Sequence, residues 1–340
     1  MCPSFVRRAI RDCLRALAFV CVGLHCTSWS ATIHVPANSP SIRDAINSAH
    51  QGDTIELASG VYFESQFVLD ANTSAGLTIR GATSNRNDVV LNGSGQNWMF
   101  QLQQWPGGRF ENLTIANANA RSGAGAAIAV FTGSTSPSVE IVNCRFVNCR
   151  LSEGSGGALT WAGRGHLLLR NCQFESNQTG SGGSTGSGGA IHLASVGYDV
   201  INCQFIDNIT EAGGGAAAFT DDASGSISGC LFRGNLVTSS QGTGGALWFG
   251  PGTATISNSS FEQNAAGLGP SVAFDHTVCT ASNCDLDAPG YITGANTRVT
   301  LNCCVLANLA GWNVLPVVTM DGCAVGSEVL CWGAVKSMYR

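Results

Sequence analysis

Charge is scarce in this chain. Asp, Glu, Lys and Arg make up 11% of its 340 residues, less than half the usual share. That deficit excludes a general electrostatic hold on nucleic acid or anionic lipid, since each phosphate contact needs a cation to displace a counterion. Long apolar runs are missing too: the longest, ALAFVCVGL (16–24), is too short to cross a bilayer. No Cys-x-x-Cys pair meets a second such pair or a His pair at zinc spacing, so a zinc module is not expected. Between the short apolar segments there is no helical period, which argues against a helical protein.

What is abundant is glycine, 43 residues, accompanied by many Asn, Ser and Thr. Low charge with these residues suits a turn-rich β surface coated by neutral polar groups. The first 15 residues, MCPSFVRRAIRDCLR, carry four Arg against one Asp, and Ser28-Trp29-Ser30 follows the apolar run. Small residues at the −3 and −1 positions complete the grammar of a secretory signal over 1–30, cleaved near Ser30. Cleavage moves the net charge from −5 to −8 and places the chain outside the cell, secreted or at the outer cell surface.

The organising signal is a repeat. NCRFVNCR (143–150), NCQFESNQ (171–178), NCQFIDNI (202–209), GCLFRGNL (229–236) and NSSFEQNA (258–265) centre on Phe146, Phe174, Phe205, Phe232 and Phe261, 27 to 31 residues apart. Ile115 and Val305 are read into the same slot before and after. Interleaved are GGALTW (156–161), GGAIHL (188–193), GGAAAF (214–219) and GGALWF (244–249). Two phase-locked motifs at one period describe a solenoid coil. Alternation on either side of Asn143, Asn171 and Asn202 reads as two strands meeting at a bend, because Asn tolerates the left-handed conformation. The GGA segment opens a third strand. Three short strands per turn define a parallel β-helix with equivalent residues stacked about 4.8 Å apart. Phenylalanines then form an apolar file. Asn177, Asn208, Asn235 and Asn264, each three residues after a Phe, form an amide file, joined at Asn308 and broken at Cys149.

The F-x-x-N and G-G-A-[ILV] pair resembles the repeat of the polymorphic outer-membrane protein family, known from chlamydial autotransporters. That family lies within the pectin-lyase-like right-handed β-helix superfamily. The likeness covers about residues 110–310. The segment TIHVPANSPSIRDAINSAHQGDTIELASGVYFES resembles the superfamily's N-terminal cap and first coil, over 31–70. There Ser39 is read as a helix cap with Pro40 first in the helix and Ile42, Ala45, Ile46 and Ala49 on one face. The domains expected are thus a signal (1–30), a right-handed parallel β-helix with a short capping helix (31–310), and an irregular tail (311–340). The resemblance implies a surface-exposed, adhesin-like or passenger-type role. Full-length members end in a membrane β-barrel, and no run of alternating ten-residue strands follows residue 310. The expectation is therefore a secreted chain, one held at the surface by other means, or an incomplete gene product.

Cys144, Cys172, Cys203 and Cys230 share one slot and read as an inward column of packed thiols. Cys279, Cys284, Cys303, Cys304, Cys323 and Cys331 lie off the Phe register, and one or two disulfide staples are expected among them.

Candidates for chemistry are few. The outward positions of the GGA strands are Thr160, Ala162, His192, Ala194, Ala218, Thr220, Trp248, Gly250, Ala273 and Asp275. His192 and Asp275 sit three coils apart, roughly 14 Å at the ladder spacing, too far to share a proton. Asp221-Asp222 is an acidic pair that reads as a solvated corner, and these two are the candidate calcium ligands and glycosidase carboxylates. Arg164-Gly165-His166 reads as a loop without an acidic partner. Trp248 is left as the outward aromatic, a single platform for sugar stacking, with Trp161 and Phe249 in the core. The Asn-x-Ser/Thr triplets at Asn72, Asn92, Asn112, Asn177, Asn208 and Asn258 fall on inward or bend positions and read as chance matches. The expected role is non-catalytic binding of a protein or glycan, with no cofactor and no nucleic acid, through the loops RLSEGS, QTGSGGSTGS, ITEA and LVTSSQGT. The competing reading is a carbohydrate-active lyase or hydrolase with an atypical site.

Overall fold

The computed structural model describes residues 30–73, 75–180, 186–294 and 296–306, with strands at Val318–Asp321, Cys323–Val325 and Glu328–Leu330. The leader, where a signal is expected, lies outside the described residues, as does Asn308. The described residues wind as a right-handed parallel β-helix, with one helix among them, near the N-terminal side. Two sheets of 12 strands, one of nine and one of five form its walls. In one coil the chain visits His166–Arg170, Gln173–Glu175, Gln178–Thr179 and Ile191–Ala194, one strand in each of the four sheets. We name these the first, second, fourth and third sheets.

Register makes each repeated residue lie on its own copy. Phe146 pairs with Phe174, Phe174 with Phe205, Phe205 with Phe232 and Phe232 with Phe261. Their rings stack with centroids 4.7 to 5.0 Å apart and planes within 15° of parallel, the ladder spacing itself. Tyr62, Leu91 and Ile115 occupy the file upstream. Downstream, Phe261 pairs with Leu286 and Leu286 with Leu306. This corrects the slot read for Val305, which is 42% exposed. The last coils shorten to 25 and then 20 residues, so counting at a period near 29 passes over Leu286 altogether.

Glycine doublets are dictated by geometry at two levels. Gly188 has φ +71°, where a β-carbon would be strained. Gly189 has no such φ, but a β-carbon there would meet the Gly215 carbonyl oxygen at 2.1 Å. The first glycine is required by its own backbone, the second by the coil beside it.

The corner residues Asn143, Asn171 and Asn202 adopt φ of 50°, 55° and 52°, and the next residue, a cysteine, turns inward. Cys144, Cys172, Cys203 and Cys230 are buried. Their sulfurs accept backbone N–H groups along the axis: Cys172 N to Cys203 Sγ at 3.4 Å and Cys203 N to Cys230 Sγ at 3.4 Å. Ser259 continues this with its hydroxyl, 3.1 Å from Cys230 N. The column goes on through Cys284 and Cys304. Among the described residues Cys279, Cys284 and Cys303 form no disulfide, which corrects the staple expected there; Cys279, Cys284 and Cys304 are buried in the coils and Cys303 is exposed. The side chains of Cys323 and Cys331 lie outside the described residues.

The amide file is saturated with hydrogen bonds. Asn177, Asn208 and Asn235 each donate Nδ2 to the Oδ1 of the next Asn, at 2.9 to 3.0 Å, and also to a Phe carbonyl oxygen. Asn264 donates to the Phe232 carbonyl oxygen at 2.9 Å. Each Oδ1 also accepts a backbone N–H, beginning with Cys149 N on Asn177 at 3.0 Å. These buried polar groups cost little because every one has a partner.

Three further expectations change. The helix spans Ile42–Ser48 and its N-cap is Ser41, whose Oγ accepts Asp44 N at 3.0 Å; Ser39 instead donates to the Ser41 carbonyl oxygen. The five coils from Asn119 to Val237 have four strands, because Arg150–Ser155 and its equivalents pair into a fourth sheet. Leu151, Thr179, Thr210 and Val237 are buried there, which ties down the segments read as free loops. The tail contains strands: Val318–Asp321 pairs with Arg298–Asn302, and Cys323–Val325 forms an antiparallel pair with Glu328–Leu330. Alternation in these segments was hidden once the Phe register lapsed.

Candidate functional site

The outward face of the third sheet is less open than alternation alone implies. Thr160, Ala218 and Ala273 are buried, at 5%, 0% and 2% exposure. The glycine turns fold back over them, Gly156 against Thr160, Gly188 against Ala218 and Gly244 against Ala273, and the fourth sheet adds cover at Thr160. Thr160 Oγ1 donates to the Ser155 carbonyl oxygen and accepts Gly125 N at 3.0 Å. Trp248 is half-buried by the same cover. A β-carbon on Gly213 would meet its Cγ at 3.3 Å, so its ring is not the open platform expected. Among the described aromatics the most exposed ring is Phe63, at 69%, ahead of Phe131 at 37%; Phe63 is an outward neighbour of the file residue Tyr62 that repeat counting did not reach.

His192 remains partly accessible and lies beside chemistry from the next coil. Its Nε2 is 3.2 Å from Thr220 Oγ1, which donates to Asp221 Oδ2 at 3.3 Å. Burial lowers the His192 pKa, and the Asp221 carboxylate offsets this only in part. Asp221 and Asp222 are exposed, in consecutive left-handed conformations with φ 52° and 63°. The structure thus joins His192 to Asp221 through Thr220. Asp275 instead bonds His276 Nδ1 at 2.9 Å and Thr293 Oγ1 at 2.9 Å.

A second cluster corrects the reading of Arg164-Gly165-His166. His166 Nε2 lies 3.2 Å from Asp199 Oδ2 in the next coil, and Ser226 in the coil after donates to Asp199 Oδ1. The order is His–Asp–Ser with the carboxylate in the middle. A nucleophilic serine needs the imidazole in that place, so this arrangement does not activate Ser226. Both partners are 33 or more residues away in sequence, which is why composition around His166 gave no sign of them. Arginines are held across coils as well: Arg80 to Glu56 at 2.7 Å, Arg109 to Glu140 at 2.8 Å, Arg145 to Glu175 at 2.7 Å.

Two outer grooves remain, each of about 560 Å³ and lined mainly by neutral polar side chains. One runs along the corner between the first and second sheets, past Asn202, Gln204, Gly229, Asn258, Ser260 and Asp285. The other lies upstream beside Phe63, with Asn92, Asn117, Asn119, Asn148 and Arg150. There Asn148 Nδ2 donates to Asn117 Oδ1 at 2.7 Å, and Asn117 Nδ2 to Asn92 Oδ1 at 3.3 Å.

Among the described residues no three His, Cys, Asp or Glu side chains converge. A calcium ion at Asp221 and Asp222 would have to draw its other ligands from hydroxyl and carbonyl oxygens. Three buried thiols are poor nucleophiles: desolvation pushes Cys149 up to about 12, and Cys144 and Cys203 well above the ordinary thiol value. No helix of the described residues is long and apolar enough to cross a membrane. No protein-family model matches the chain, and no curated protein matches it.

Proposed function

We propose that this protein is an exported binding rod of the polymorphic outer-membrane protein type, with a non-catalytic, adhesin-like or passenger role. It acts secreted or at the outer cell surface after cleavage near Ser30, on a surface protein or glycan. The observation that carries the reading is the pair of amide-lined grooves on a rigid scaffold. Carboxamides repeated coil after coil, at the ladder spacing, suit an extended ligand with hydrogen-bonding groups at regular intervals. The hydrogen-bonded core gives the scaffold the stiffness that pre-organised binding requires.

One observation favours the rival, a carbohydrate-active enzyme with an atypical site: the His192–Thr220–Asp221 chain sets an imidazole of lowered pKa near a carboxylate. A single screen separates the two. The secreted chain is offered immobilised glycans and surface proteins, and in parallel uronic-acid and neutral polysaccharides across pH. Saturable binding without turnover is expected. Turnover that vanishes in His192→Ala or Asp221→Ala would transfer the protein to the enzymes. Sequencing the exported protein's N-terminus, expected at Ala31, tests the route.

A further inference from the structure

The row of corners that leads into the corner groove is covered on its upstream side by the protein itself. The segment 82–88 leaves the strand Leu77–Gly81 and reaches over three successive corners. Asn143 Nδ2 donates to the Ser84 carbonyl oxygen at 2.7 Å while also donating to Asn112 Oδ1 at 2.8 Å. Thr114 Oγ1 donates to the Arg86 carbonyl oxygen at 2.8 Å. The Arg86 guanidinium closes the contact, with Nη1 2.7 Å from the Asn171 carbonyl oxygen and Nη2 3.4 Å from Gln173 Oε1.

The segment stops there, and the row of corners does not. One coil on, Asn202 repeats the Asn171 corner and Gln204 is the register partner of Gln173. Asn258 and Asn283 supply further corner carboxamides, linked at 3.3 Å, and Asp285 adds a negative charge. At Gly229 the corner side chain is missing. A β-carbon there would lie 2.3 Å from Asn202 Oδ1, so glycine keeps this stretch open.

We propose that the open groove, from Asn202 to Asp285, captures an extended arginine-bearing peptide segment of a partner protein. Its backbone carbonyls would be taken by corner carboxamides as Ser84 is by Asn143. Its guanidinium would lie on the Asn202 carbonyl and Gln204, as Arg86 lies on Asn171 and Gln173. A planar five-donor group suits such paired acceptors, and the chain's net charge of −5 favours a cation. This deepens the binding role proposed above and rests on it.

The probe is a hexapeptide copying residues 83–88, Thr-Ser-Asn-Arg-Asn-Asp, titrated into the full chain and followed by amide NMR. Saturable shifts of Gly229, Asn202 and Gln204 are expected at low-millimolar peptide or below. Replacing the peptide's arginine by alanine should weaken binding roughly tenfold, the scale of one charge-assisted hydrogen bond. Gly229→Asn should block it. The left-handed corner itself accepts asparagine, as at Asn171 and Asn202, and the end of the Asn202 side chain swings aside to admit it. Gln204→Ala, at an exposed position, gives a second test. Absence of shifts, or unchanged binding in both variants, would overturn the proposal. The glycan and surface-protein screen, repeated on Gly229→Asn, reports separately on the binding role: capture that persists keeps the role and removes this groove as its seat.

Discussion

Asn208→Ala is the sharpest test of what holds the coils together. The Asn208 carboxamide makes four buried hydrogen bonds: it donates to Asn235 Oδ1 at 2.9 Å and to the Phe174 carbonyl oxygen at 3.0 Å, and accepts Asn177 N and Asn177 Nδ2, both at 3.0 Å. Truncation leaves two Asn177 donors without acceptors in a site that is 0% exposed. At about 1–3 kcal/mol for each stranded group, the cost is about 4 kcal/mol. The exposed Gln204→Ala serves as control and should stay within about 0.5 kcal/mol. Urea unfolding followed by circular dichroism gives the shift in stability. Hydrogen exchange then locates it, because a solenoid transmits damage chiefly to adjoining units. Loss of protection should centre on Asn177 and Asn235 N–H groups. A cost below about 1 kcal/mol, or one spread evenly along the chain, would refute the view that the amide file clamps the coils.

The opposite change is expected at Cys149, where the file is interrupted. Cys149→Asn places an amide donor beside Asn177 Oδ1 and the Ile115 carbonyl oxygen, and should stabilise by about 1 kcal/mol in the same urea assay. His192 has a lowered pKa in the fold, so its contribution is complete above the unfolded value near 6.5. It is lost as pH falls through the folded value, because the unfolded chain then binds more protons. His192→Gln should therefore flatten the fall in stability below about pH 6.5, seen as melting temperature against pH. In native alkylation mapped by mass spectrometry, Cys303 should label quickly, while Cys144, Cys149, Cys172, Cys203, Cys230, Cys279, Cys284 and Cys304 label only with unfolding.

The fold was legible in the sequence because a solenoid writes its register openly. Each coil must match the one beside it, so Phe174 and Asn177 announce their neighbours by recurrence alone. Legibility failed where recurrence weakened. Leu286 keeps the shape of the slot but not its aromatic ring, and it arrives early, so it went unseen and Val305 was put in the next one. The fourth sheet was missed because strands of two residues, such as Gln178–Thr179 and Ile209–Thr210, leave no alternation to read. The site was harder still. The partners of His192 and His166 come from the following coils, 28 to 60 residues on. Parity along one strand says nothing about whether a flanking segment folds back, as it does over Thr160. The corner groove depends on what is missing at Gly229 and on where the segment carrying Arg86 comes to rest, and neither is a pattern of residue types.

Among the described residues, the fourth sheet exists only from Asn119 to Val237, and the third ends at Tyr291–Thr293 while the first two run on. The described rod thus carries a fourth ladder only at its waist, and a helix packs on the coil at its N-terminal side. Under tension the described coils on either side have one backbone ladder fewer to shear per turn, so they should peel before the waist does. Pulling from the C-terminal side would therefore open the corner groove at Asp285 before the four-ladder coils give way.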